Sequence, residues 1–350
     1  MSRHAAQTPD PGRAAPGPGG PVRLVEVARA AGVSSMTVSR ALRHPELVAP
    51  PTLRAVERAV ARLGYLPDGA AAALATRRSR VVAAIVPTLM NSVYASTVHG
   101  LSAALRAAGY ELMLGDSRYD PRVETALVRS FLGRRVDALV LTGVEHAGPT
   151  RSLLARHAVP VVEIWDATRR PIDMLVGFSN VAAGREAGRW LASSGRRRWG
   201  FVGTPPEREA RSGKRLKGLR EAARAAGLHA PETAFVADGM SAADGREAVR
   251  ALLARVPAVD ALFCANDALA VAALRAAHEA GIDVPARLAV LGFGDFDVAA
   301  VVRPALTTIA IPGEAIGRAA ARAVLERLSG GAPRPVREDL GFGIVRRESA

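Results

Sequence analysis

Cysteine occurs once in this 350-residue chain, at position 264, so no disulfide can close within it and no cysteine-rich zinc site can form. Cys264 falls in the apolar run ALFCA, where a thiol acts as a small buried hydrophobe. The seven histidines (4, 44, 99, 146, 157, 229, 278) are scattered without metal-ligand spacing. No apolar run reaches the length of a membrane-spanning helix, and the opening MSRHAAQTPDPGRAAPGPGG has no hydrophobic centre of a signal peptide. A cytoplasmic chain with no membrane partner is expected. Residues 1–21 read as a disordered tail, because Pro, Gly and Ala leave too little bulky apolar side chain to bury. Enzyme signatures are missing as well. There is no P-loop and no GxSxG elbow, and GFGDFD at Gly292–Asp297 begins like a dinucleotide fingerprint but lacks its third glycine. The expectation is a protein that is not an enzyme and needs neither metal nor other cofactor.

What the chain does have is arginine. Of its 47 basic residues only Lys214 and Lys217 are lysine, and the formal charge is +14. A bias of that kind can come from coding preference, so position says more than the total. Residues 22–80 hold ten arginines against four acids, a net of +6, which suits a module that faces phosphates.

Within that basic stretch, VRLVEVARAAGVSSMTVSRALR (22–43) spells helix, glycine turn, helix. Val27, Ala28 and Ala31 share one face of the first helix, and small Ala28 allows a second helix to cross closely. Gly32 suits the left-handed residue that ends a helix. Ser34 can cap the next one, which then begins near Ser35 and is anchored by Val38 and Leu42. Met36, Arg40 and Arg43 are left on one exposed side with Ser35 and Ser39 beside them, a face that a major groove admits. Ser34, Ser35, Met36, Thr37, Ser39, Arg40 and Arg43 are the expected DNA-facing residues. An amphipathic helix pair from an ordinary bundle would share much of this pattern.

The block VSSMTVSRAL, a third helical stretch at 50–63 and then GYLPDGAAAALA resemble the headpiece and hinge of the LacI/GalR repressors, without gaps from Val22 to about Arg80. Residues onward to Ala350 resemble that family's ligand-binding core. SMTVSRALRHPELV, VPTLMNSVYA, VVEIWD, VGFSN, FCANDALAV and EDLGFGI are similar to gluconate operon repressors in particular. The resemblance implies a helix-turn-helix domain at 22–67, a hinge at 68–80 and a ligand-binding and dimerisation core at 81–350. It implies two subdomains, about 81–177 with 309–335 and 178–308 with 336–350. It further implies a homodimer or larger homo-oligomer that reads a palindromic operator in double-stranded DNA and is released by a sugar or sugar-acid effector such as gluconate. In the hinge it makes Leu74 an apolar wedge in the minor groove, the alternative being that Leu74 packs on the core. Asp68 stands where relatives usually have Asn, and Ala72 where many have Arg.

From Arg80 onward short apolar runs alternate with helical stretches. VVAAIVP, YELMLGD, DALVLTG and VPVVEIW read as one series of parallel strands, and RWGFVG, TAFVAD, ALFCAND and LAVLGFGD as a second. Helical patterns cover 92–108, 122–133, 182–194, 214–226, 243–256, 268–280 and 312–328. The expected fold class is α/β, a helix-turn-helix headpiece plus two doubly wound parallel-sheet subdomains, which the resemblance makes of periplasmic-binding-protein type.

Open parallel sheets bind ligands at the carboxyl ends of their strands, and here those ends are polar: Asn91, Asp116, Asp166, Asn180, Asn266 and Asp295. Such a set suits a polyhydroxylated molecule, although Asn266 could equally cap the helix that follows it. Arg215 lies where the resemblance puts a basic side chain facing the ligand, and arginine matches a carboxylate bidentately. Trp165 and Phe178 could wall a sugar face or simply belong to the core. Met240 stands near a position where relatives can carry an aromatic wall. A soluble sugar-binding receptor without a regulatory role is the alternative; it would need an export signal and no headpiece.

Overall fold

The computed structural model describes residues 22–66, 78–89, 92–236, 242–330 and 337–350. Leu74, Asn91, Asp68, Ala72, Met240 and the tail 1–21 lie outside the described residues. The chain divides into two compact units, Met1–Arg77 and Arg78–Ala350.

In the first unit, α1 (Leu24–Ala31), α2 (Ser35–Arg43), a 3-10 turn (Pro45–Leu47) and α3 (Pro50–Leu63) enclose a core of Val27, Ala28, Val38, Ala41, Val56, Ala59 and Tyr65. The ends follow from local chemistry. The Glu26 carboxylate accepts the Arg23 N–H at 2.9 Å, satisfying a donor at the start of α1. Gly32 ends it at φ 69°, where a side chain would be strained. Ser34 Oγ then accepts the Thr37 N–H at 3.1 Å and opens α2. Prolines at the first positions of α3 need no partner for their missing N–H.

The second unit contains two six-stranded sheets. The first is wholly parallel, built from β1 (Val81–Val86), β2 (Glu111–Asp116), β3 (Ala138–Thr142), β4 (Val161–Ile164), β5 (Met174–Gly177) and β11 (Arg337–Asp339), in the order β11-β5-β4-β3-β1-β2. The second uses β6 (Trp199–Gly203), β7 (Glu232–Phe235), β8 (Ala261–Cys264), β9 (Ala289–Gly294), β10 (Thr307–Ala310) and β12 (Gly343–Val345), in the order β12-β10-β9-β8-β6-β7, with only β12 antiparallel. The helices are α4 (Ala95–Ala107), α5 (Pro121–Gly133), α6 (Gly148–His157), α7 (Asn180–Ser193), α8 (Ala210–Ala225), α9 (Ala242–Arg255), α10 (Asp267–Glu279), α11 (Asp297–Val301) and α12 (Gly313–Leu328). Both faces of a strand are covered. In β1, Val82, Ala84 and Val86 meet Leu101 and Leu105 of α4, while Ala83 and Ile85 meet Val128 and Phe131 of α5. That two-sided burial is why β1 reads VVAAIV rather than alternating.

The chain leaves the first half after Gly177, returns with α12, adds β11 beside β5 and crosses last between Asp339 and Gly343. Sequence periodicity marks neither β5, β11 nor β12. Four- and three-residue strands are too short to show a period. It leaves α6 and α11 unmarked too, and α8 begins at Ala210, four residues ahead of the expected 214.

Glycines set how closely the helices approach. A Cβ on Gly184 of α7 would lie 1.9 Å from the Arg215 carbonyl oxygen of α8, and one on Gly218 would lie 2.0 Å from that of Val181. In the first half, Gly100 and Gly317 stand likewise 2.3 Å and 2.1 Å from the carbonyls of Glu314 and Thr97. The α7/α8 contact fixes Arg215 at backbone level, directly beside the ends of the strands.

Candidate functional site

On α2, Val38 and Ala41 face the core of the first unit, which turns Met36, Arg40 and Arg43 outward. Met36 is 73% exposed. Ser35, Thr37 and Ser39 lie half-buried beside them, and Ser34 is engaged as the cap, its Oγ 2.9 Å from Thr37 Oγ1. Arg40 and Arg43 make no ion pair among the described residues, so their guanidiniums keep every N–H for an external acceptor.

The two sheets of the second unit share one strand order, and the connections reverse between β1 and β3 and between β6 and β8. Ligands of doubly wound sheets bind outside the carboxyl ends at such a switch point. Here the space holds a chain of bonded charges. Arg215 is buried; it donates from Nη1 to Asn180 Oδ1 at 2.6 Å and from Nη2 to Glu209 Oε1 at 3.2 Å. Its guanidinium lies 4.3 Å above the Phe293 ring, and its Nε has no hydrogen-bond partner. Asn180 Nδ2 donates to the Trp165 carbonyl at 3.0 Å and to Asp166 Oδ1 at 3.2 Å. The other Asp166 oxygen accepts Lys214 Nζ at 2.6 Å, and Lys214 also meets Glu145 at 2.5 Å. Arg211 donates to the Tyr94 hydroxyl at 3.0 Å. Lys214 and Arg211, on α8, therefore bind residues of the first half across the gap. Burial disfavours the Lys214 charge, but Asp166 and Glu145 outweigh it and hold its pKa above the usual lysine range. Burial raises the pKa of the Tyr94 hydroxyl, which accepts the Arg211 N–H as a neutral phenol. A cavity of about 180 Å³ opens here, lined in part by Pro87, Thr142, Gly143, Glu145, Glu209 and Arg211.

Asp166, Asn180 and Arg215 are thus drawn into one network. Phe178 lies beneath it, fully buried, 5.9 Å from Trp165 and 6.0 Å from Phe293 between ring centroids. The other three described candidates are bonded to partners outside this network. Asp116 Oδ1 accepts the Arg118 N–H at 2.9 Å at the end of β2. Asn266 caps α10 through the Leu269 N–H at 2.9 Å. Asp295, at φ 57°, pairs with Arg347 at 2.7 Å. Residues that sequence reasoning missed are Tyr94, Glu145, Glu209 and Phe293. Glu209 had a signal, an acid six residues ahead of a basic residue assigned to the site; the others had none.

A second charge cluster lies under the first sheet's carboxyl end. Buried His146 places Nδ1 3.0 Å from Glu124 and Nε2 3.5 Å from Glu163, whose other oxygen accepts the Ile172 N–H at 2.6 Å. Burial opposes the imidazolium, but the two carboxylates prevail and raise its pKa to about 9.

No helix among the described residues is long and apolar enough to cross a membrane. Residues 23–68 match the model for bacterial regulatory proteins of the lacI family, and residues 189–350 match a periplasmic binding protein-like domain. The HTH-type transcriptional regulator GntR of Pseudomonas aeruginosa is 38% identical over 93% of this chain and 95% of its own length. A solved LacI family transcriptional regulator from Silicibacter pomeroyi superposes with a TM-score of 0.88 at 34% identity, covering 94% of this chain and 99% of that one. The transcription regulator GntR from Chromobacterium violaceum gives 0.73 at 40% identity over 77% of this chain and 98% of that one. With a free basic helix face in one unit and a polar switch-point cleft in the other, this chain belongs to the lacI family of DNA-binding bacterial transcriptional regulators.

Proposed function

We propose that the chain is a repressor that dimerises, reads the two halves of a palindromic operator with its two α2 helices, and is released when a sugar acid such as gluconate enters the cleft. Arg215 carries the effector reading. Its buried Nε is unpaired and its Nη2 donates to Glu209 at 3.2 Å, so a carboxylate that displaced Glu209 would take both N–H groups of that edge. Asp166 and Asn180 would bind hydroxyls, with the Arg215–Phe293 stack and Phe178 as the floor. Asn91, Asp116, Asn266 and Asp295 are further proposed ligand contacts, and Leu74 is the proposed hinge wedge. In the headpiece, Arg40 and Arg43 would contact DNA, Met36 and Ser35 would set base preference, and Ser34, Thr37 and Ser39 would sit against the backbone.

Release follows from linkage: the ligand lowers operator affinity only by the ratio of its affinities for the free and the DNA-bound arrangements. Electrophoretic retardation of the DNA upstream of the chain's own reading frame tests both halves. Retardation lost on adding gluconate is the expected result, and a thermal shift panel of sugars, sugar acids and their phosphates ranks the ligands. Retardation indifferent to the whole panel would remove the effector reading and leave the DNA-binding one.

A further inference from the structure

All strands of the first sheet run in parallel, so the loops that precede them gather at one end, opposite the cleft. These loops carry arginine almost without counter-charge. Arg134 and Arg135 precede β3, Arg156 precedes β4, Arg169 and Arg170 precede β5, and Arg337 opens β11, all six exposed. Among the described residues none of these guanidiniums is paired with a carboxylate. Of the nearby acids, Asp137 accepts the backbone N–H groups of Ser79 and Arg80 at 2.8 and 2.9 Å, Asp173 pairs with Arg327 at 2.7 Å, and Glu111 at the start of β2 is exposed.

The equivalent end of the second sheet is also rich in arginine, and there Arg197 and Arg303 are likewise exposed without a carboxylate partner among the described residues, but the rest is used internally. Arg198 pairs with Glu232 at 2.9 Å, Arg196 donates to the carbonyls of Pro285 and Ala286, and Arg287 donates to those of Val259 and Pro257. Composition alone would make the two ends alike. The first end gathers the larger unpaired set, and there Arg169, Arg170, Arg327 and Arg337 surround a shallow pocket of about 430 Å³ whose single acid is Asp173.

Position supplies the partner. Arg78, the first residue of this unit, donates to the Leu328 carbonyl at 2.8 Å, next to the Arg327 that lines the pocket. The connection from the helix-turn-helix unit therefore enters beside the arginine pocket. Only the eleven residues 67–77, at most roughly 40 Å of fully extended chain, separate this entry point from the helix-turn-helix unit.

We propose that the strand-start end of the first sheet, centred on Arg169, Arg170 and Arg337, is a second DNA contact of the chain, binding the phosphate backbone of the duplex that α2 reads. It takes from the proposed function only that α2 holds duplex DNA. Each phosphate neutralised releases a counterion, so the contact adds affinity without sequence preference and steepens the salt dependence.

The test uses the full chain and a fluorescent random-sequence duplex, with anisotropy recorded from about 50 to 200 mM KCl. Replacing Arg169, Arg170 and Arg337 together by alanine should flatten the slope of log K against log salt by roughly 0.9 for each phosphate that is no longer neutralised. The same three positions changed to lysine should keep the wild-type slope, which separates missing charge from damaged folding. A control triple, Arg129→Ala with Arg220→Ala and Arg224→Ala, should leave the slope unchanged. An alanine triple with the wild-type slope overturns the proposal, as does a control triple that flattens it equally. A site for small anions would show instead as a thermal shift with millimolar inorganic phosphate, abolished by the alanine triple while the DNA slope stays put, and that result also overturns the proposal. Arg40→Ala, read on the upstream DNA, reports separately whether α2 is the reading helix.

Discussion

The two charged regions of this protein are built on opposite plans. On α2 the guanidiniums of Arg40 and Arg43 are exposed and unpaired, whereas in the cleft Arg211, Lys214 and Arg215 are surrounded by Glu145, Asp166 and Glu209 and bonded at 2.5–3.2 Å wherever they meet a partner directly. An exposed face can be read by a partner without internal rearrangement. A filled cleft must exchange one set of bonds for another, so its ligand is selected by how well it replaces what is already there. Affinity at the first region should respond to salt and to surface charge, and affinity at the second to the removal of individual partners.

Removing Arg215 separates the two plans most strongly. Arg215→Ala is expected to weaken a sugar-acid effector by about 2–5 kcal/mol, because a desolvated carboxylate loses its partner, while operator affinity without effector stays at the wild-type value. Calorimetry on the effector identified by the thermal panel checks the first half, and retardation checks the second. Equal effector affinities would take Arg215 out of the site.

Titration sharpens the contrast next. The folded pKa of His146, about 9, lies above its ordinary 6.5, so the imidazolium stabilises the core fully below pH 6.5 and this contribution is lost as pH rises through 9. The loss is on the order of 3 kcal/mol. All three tryptophans (165, 190 and 199) lie in the second unit, so urea unfolding followed by tryptophan fluorescence reports on that unit. His146→Gln should flatten the decline between pH 6.5 and 9; an unchanged decline would place the titrating group elsewhere.

On the exposed side the effects are smaller. Arg40→Ala should cost about 1–3 kcal/mol at the operator and relax base preference at one position of each half-site. Competition against DNA with that base pair varied is the measurement, and an unchanged preference would reassign the reading face. Smallest is the cap: Ser34→Ala should destabilise the first unit by about 1 kcal/mol through the orphaned Thr37 N–H, leaving tryptophan-detected unfolding of the second unit unchanged. Hydrogen exchange at the amides of α2 would register it.

The difference between the regions also explains what could be read in the sequence. The headpiece was legible nearly residue by residue, because Gly32, Ser34, Val38 and Arg40 each act through local rules of turn, cap and period. The sheets were legible where strands are long and doubly buried, as in VVAAIV and AVLGFG, and illegible at RED and GIV, which are strands only because β5 and β10 lie beside them. In the cleft, Asp166 and Asn180 could be found from their places at strand ends, and Arg215 from the family resemblance. The bonds that join them could not, since Lys214 to Glu145 and Arg211 to Tyr94 link residues 69 and 117 positions apart. Side chains committed to neighbours that distant leave no periodic trace.

The four interhelical glycines set limits on how this sequence can drift. At Gly100, Gly184, Gly218 and Gly317 an added methyl would meet a backbone carbonyl at 1.9–2.3 Å, and no rotamer change can move a carbonyl aside. In a saturation library sorted only for a folded core, without any demand for DNA or effector, these positions should return glycine alone. Met36 and Arg40, indispensable to the proposed reading of DNA, should return almost anything. Fold and function would then be recorded at separate addresses in the same chain, and a library sorted twice would tell them apart.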